Sequence, residues 1–98
     1  MLQDLTPSSF EEHLGTRFRI HFGGEGLLEV ELYEVARHEE HGGPRKQPFT
    51  ARFRHPGGKR ALPQQIYKME HDRMGTMEIF LVPIGPDEGG MRYEAVFN

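Results

Sequence analysis

TMEIFLVPIGPDEGGMRYEAVFN, Thr76 to Asn98, is the stretch whose reading decides the fold. It holds the longest unbroken apolar run of the chain, Ile79-Phe80-Leu81-Val82. Gly85-Pro86-Asp87 with Gly89-Gly90 then supplies turn chemistry. Beyond it, Met91 to Phe97 alternates, with Tyr93, Ala95 and Phe97 on one face. Two strands around a tight turn make a hairpin, and the first of them, Thr76 to Ile84, is apolar on both faces. Met77, Ile79 and Leu81 can enter a core, which sends Phe80, Val82 and Ile84 outward. That outer face predicts a cover, either a helix of the same chain or another protein.

The chain before it carries the same period of two. Arg17 to Phe22 puts Phe18, Ile20 and Phe22 on one face and Arg17, Arg19 and His21 on the other. Gly23-Gly24-Glu25-Gly26 is a hairpin signal, and Leu28 to Leu32 alternates again. Two registers bring base against acid: Arg17–Glu31 with Arg19–Glu29, or Arg19–Glu31 with His21–Glu29. After Leu32 the apolar parity changes to Tyr33 and Val35, which predicts a bulge or coil near Leu32–Glu34. Phe49, Ala51 and Phe53 form a third inward set, ended by Pro56-Gly57-Gly58. Gln65 to His71 is a fourth strand with Tyr67 and Met69 inward.

Only one helix is expected, over residues 6–14. Thr6 is a good N-cap, Pro7 suits the first helical position, and Leu5 can staple onto Phe10. Phe10, His13 and Leu14 share one face, and Gly15 is placed to end the turn. Six strands with short turns and one short helix define an all-β fold, a small six-stranded antiparallel β-barrel, as one domain over residues 1–98.

Composition narrows the function. The chain has no cysteine, so it offers no disulfide and no thiolate. MLQDLTPSSF lacks a basic segment followed by an apolar one, and no run approaches the ~18 apolar residues of a membrane span. A cytoplasmic location away from membranes is therefore expected. The formal net charge is −3, which argues against nonspecific nucleic-acid binding; protonating the six histidines would carry the total across zero.

Chemistry is hard to find. His38-Glu39-Glu40-His41 superficially resembles a metal cluster, yet the zincin pattern needs H-E-x-x-H on a helix. Here the spacing fails and the setting is a Gly-Pro-rich loop. His71 shares the parity of Tyr67 and Met69, which makes it a core-edge histidine. No phosphate loop, dinucleotide fingerprint or nucleophile elbow occurs, and Ser8 and Ser9 sit where a helix is capped. Neither a catalytic residue nor a metal or cofactor site is expected. Charge, by contrast, is segregated. Residues 45–60 carry Arg45, Lys46, Arg52, Arg54, Lys59 and Arg60 with no acidic residue. Cross-strand pairing of Arg52 and Arg54 with Glu29 and Glu31 is the plain explanation. The functional one is a patch for an acidic partner, formed by Lys46, Arg52, Arg54, Lys59 and Arg60. Nucleic acid is not the expected partner, because no aromatic residues interleave with the basic ones as stacking platforms.

FLVPIGPD followed by MRYEAVFN, with ALPQQIYKMEH and PFTARFR upstream and the opening LTPSSFEEHLGTRFRI, resembles a bacterial family of small proteins of unknown function. The resemblance covers nearly the whole chain and departs in the His38–Gln47 loop. It implies genes beside phage-tail-collar-like or fibre-like proteins, hence a link to a tail-like assembly, and supplies no catalytic residues. The expected function is a non-catalytic protein-interaction or structural accessory module that self-associates or docks another protein. Phe80, Val82 and Ile84 are its candidate interface. The alternative is a small-ligand-binding barrel using the interior near Tyr67, Tyr93 and Phe97.

Overall fold

A computed structural model describes residues 5–39 and 47–98. The elements are α1 (Pro7–Glu11), β1 (Arg17–Phe22), β2 (Gly26–Arg37), β3 (Phe49–Pro56), β4 (Gln65–His71), β5 (Gly75–Asp87) and β6 (Gly90–Phe97). The strands close into a barrel in the order β1-β2-β3-β6-β5-β4, every neighbouring pair antiparallel. The six-stranded barrel expected from the alternating apolar sets is the observed fold.

Side-chain parity fills the interior. Phe18, Ile20, Val30, Leu32, Phe49, Ala51, Phe53, Met69, Leu81 and Tyr93 are all essentially buried, because alternate residues of every strand face inward. The first hairpin takes the register that pairs Arg17 with Glu31 and Arg19 with Glu29. The expected bulge occurs between Leu32 and Glu34, and it lets β2 bend from β1 onto β3.

The helix is shorter than expected. Thr6 caps it through a capping box with Ser9, Glu12 ends it, and a turn follows to Gly15. Tertiary bonds set that stop: Gly15 N–H donates to the Leu32 carbonyl, and Leu32 N–H donates to that of Thr16. Leu14 consequently points away from the core and is 45% exposed. Phe10 enters the barrel end, against Phe18, Phe49 and Phe97. Arg37 fastens the helix from outside, with two bonds to the Glu11 carboxylate and one to the Ser8 hydroxyl.

β5 runs three residues past the expected Ile84. It pairs with β4 through Leu81 and with β6 from Val82 onward, with a second bulge between Pro83 and Gly85. Pro83 and Pro86 are tolerated because this half of the strand has a ladder on one side only. The turn proper lies at residues 88–89, where the Asp87 carboxylate accepts the N–H groups of Gly89 and Gly90. Among the described residues, no helix is long and apolar enough to cross a membrane.

Candidate functional site

Two surfaces stand out, one on the barrel wall and one at its mouth. The wall surface begins with β5. Phe80 points outward as expected and is 51% exposed, whereas Val82 and Ile84 are half-buried beside the Pro83–Gly85 bulge. The neighbour of Phe80 lies across the strands. Ile66 of β4 is its direct cross-strand partner and is 62% exposed. Val96, on β6 two residues beyond the Val82–Glu94 pair, is 50% exposed. The α1 helix packs on β2 and β3, with Phe10 in the barrel end, and leaves this wall uncovered. Parity held the missing signal: Ile66 is out of phase with Tyr67 and Met69, and Val96 with Tyr93 and Ala95.

The basic residues separate into two groups. Arg52 bridges Glu34 and Glu94, with N–O distances of 3.0 and 3.3 Å. Arg54 makes a two-pronged contact with Asp87 and lies 4.1 Å above the Tyr33 ring. Its hydrogen bond holds the Asp87 carboxyl down to about 2, helped by the Gly89 and Gly90 amides. These arginines tie β3 to its neighbours. Lys59 and Arg60 are exposed and have no ion pair among the described residues. Lys46 lies outside the described residues, as do Glu40 and His41 of the HEEH run.

Topology explains where Lys59 and Arg60 sit. β3 and β4 are consecutive in the chain but stand on opposite sides of the ring of strands. The connection from Gly57 to Gln64 must therefore cross the mouth at the end away from the helix. Two interior tyrosines hold this strap. The Tyr93 hydroxyl accepts the Leu62 N–H at 3.0 Å, and the Tyr67 hydroxyl donates to the Pro63 carbonyl. Burial, and then the neighbouring Tyr93, push the Tyr67 phenol up from its ordinary value. Beside the strap lies an open recess of about 590 Å³, lined by Phe22, Leu28, His55, Lys59, Leu62 and Tyr93 among others. Phe97, by contrast, stacks on Phe49 at the helix end, so it and Tyr93 serve different ends of the barrel.

The described histidines mostly hold structure. His38 Nε2 meets the buried Thr50 hydroxyl at 2.8 Å, His21 Nε2 meets Glu70, and His55 Nδ1 donates to the Glu29 carbonyl. His71, at the helix end, is buried as its parity implied. Its Nδ1 accepts the N–H groups of Arg73 and Met74, while Nε2 lies 2.9 Å from the Thr16 hydroxyl. Among the described residues, no group of three or more His, Cys, Asp or Glu side chains is arranged to hold a metal ion.

A closed antiparallel barrel, plugged by a helix at one end and crossed by a strap at the other, is the class of domain these features define. The chain belongs to a family described as a domain of unknown function, DUF6916, whose model matches residues 5–97. No curated protein and no solved structure matches it.

Proposed function

We propose that the protein is a non-catalytic interaction module whose β4–β5–β6 wall docks onto a protein subunit of a larger, tail-like assembly. One observation carries the reading: Ile66 and Phe80 are registered cross-strand partners, and both are more than half exposed. The barrel fills its interior without them. Folding therefore gives no reason for two large apolar side chains to stand together in water. Adjoining exposed apolar groups are a mark of contact sites, unlike singly scattered ones.

The size of the face favours a different protein over a second copy. A stable interface engages about 20–30 residues on each side. Ile66, Phe80 and Val96 form only the apolar centre of such a contact, flanked by the charged Lys68 and Glu78. A subunit that wraps beyond this centre supplies the remainder. The family resemblance points to a tail-like or appendage assembly as its setting.

A photo-crosslinking residue at Lys68, in the native host, tests the proposal. The expected result is one crosslinked partner chain, lost when Ile66→Ser and Phe80→Ser are introduced together. Light scattering on the purified protein is the counter-test. A concentration-dependent dimer abolished by Phe80→Ser, or crosslinking unchanged by the double substitution, would overturn the assignment to a foreign subunit.

A further inference from the structure

We infer that the barrel mouth is a second, separate site that binds a small amphipathic anion: a short apolar body carrying one carboxylate or phosphate head. The inference starts from an unequal distribution of charge partners. The basic residues of β3 are neutralised, Arg52 by Glu34 and Glu94 and Arg54 by Asp87. Lys59 and Arg60, a few residues further on, are not paired among the described residues. Both line the same recess as Phe22, Leu28 and Leu62. Two unpaired cations on the lip of an apolar hollow complement a ligand with a negative head and an apolar tail.

The recess is built in a way that a random surface hollow is not. Its volume, about 590 Å³, lies within the roughly 300–1,000 Å³ of ligand pockets. One wall is the β1–β2 hairpin, through Phe22 and Leu28. The other is the strap, held at Leu62 and Pro63 by tyrosines rooted in the core. Gly58 leaves room for the His55 ring, since a Cβ there would meet it at 2.3 Å. The His55 ring is in turn fixed by the Glu29 carbonyl. The Tyr93 hydroxyl completes the polar set. It accepts the Leu62 N–H, and its own proton has no acceptor among the described residues, which leaves it free to donate to an anionic oxygen.

The apolar floor would hold the body of the ligand and the strap cations its head. A neutral molecule of the same shape would gain only the first contribution. Discrimination by charge is therefore the signature that separates this site from a merely greasy hollow.

The test is a titration of the full chain with octanoate, octyl phosphate and octan-1-ol, followed by amide resonances. The expected result is saturable shifts at Phe22, Leu28, Gly58 and Leu62 with the two anions. Octanol should bind at least about tenfold more weakly, and the tighter of the two anions identifies the head group. Replacing Lys59 and Arg60 together by Ala should weaken the anions by about tenfold and leave octanol unchanged. The thermal midpoint should hold, because both side chains are exposed and unpaired. Exchanging the two cations, Lys59→Arg with Arg60→Lys, should restore binding. Equal binding of octanol, shifts confined to other residues, or no saturable shift with either anion would each overturn the proposal. Because this site shares no residue with the exposed face of Ile66, Phe80 and Val96, either proposal can fail alone.

Discussion

His71 shows how one buried residue couples the fold to pH. Its ring packs 4.3 Å from that of Phe18 and 4.5 Å from that of His13. With Nδ1 already accepting two backbone N–H groups, the neutral ring must carry its proton on Nε2, facing the Thr16 hydroxyl. That hydroxyl donates in turn to the His13 carbonyl. Burial lowers the His71 pKa from its ordinary 6.5, and the charges of His13, Arg19 and Arg73 act in the same direction, against Asp72. The unfolded chain therefore takes up this proton before the folded one does. The His71 contribution is complete above about pH 6.5 and is lost as pH falls from there towards the folded pKa. Thermal melts at about pH 7.5 and about pH 5.5 should show a lower midpoint in acid. His71→Leu should cost about 1–3 kcal/mol per polar group left unpaired at the higher pH, yet flatten the pH dependence. A variant that keeps the wild-type slope would place the sensitivity in another histidine. Parity alone identified His71 as inward-facing; the Arg73 and Met74 amides lie in the turn that follows it, but Thr16 comes from a distant turn that no local pattern announces.

At the scale of elements, the strands were readable and their ends were not. β4 falls where alternation placed it, from Gln65 to His71, because both flanks are rich in turn residues. The end of β5 lies later than expected, because Gly85-Pro86 looks like a turn and is instead paired with Arg92 and Met91, just past the bulge between Pro83 and Gly85. The helix was overextended for a similar reason. Its periodicity continues through Leu14, but hydrogen bonds to β2 end it at Glu12. The two apolar residues of that stretch should therefore behave differently. Phe10→Ala removes a ring fully buried against three others and should cost about 3–5 kcal/mol. Leu14→Ser should cost much less, about 1 kcal/mol at most, since that side chain is already 45% exposed. Denaturant unfolding of the pair checks this, and a comparable loss for both would restore the longer helix. Candidate-site residues were legible to the same degree: outward parity identified Phe80. It marks Ile66 as outward too, but that Ile66 stands opposite Phe80 is long-range information that no local pattern holds.

For the whole molecule, closure is what makes a small core sufficient. Each strand is bonded on both sides, so removing one opens a seam in the wall and exposes two edges at once. β6 is the critical case. It joins β3 along its full length and the far half of β5, and thus locks the two ends of the chain's path around the ring. Its inward residues, Met91, Tyr93 and Ala95, are buried, and Phe97 stacks between Phe10 and Phe49. Deleting Tyr93 to Asn98 removes most of that strand, the tyrosine that anchors the strap at Leu62, and the ring that seats the helix. The barrel would lose its closure, its plug and its strap in one step. The expected outcome is a chain with no cooperative thermal transition and little dispersion of its amide resonances. A truncated protein that still melts cooperatively near the full-length midpoint would mean that five strands suffice, and that β6 is an accessory wall.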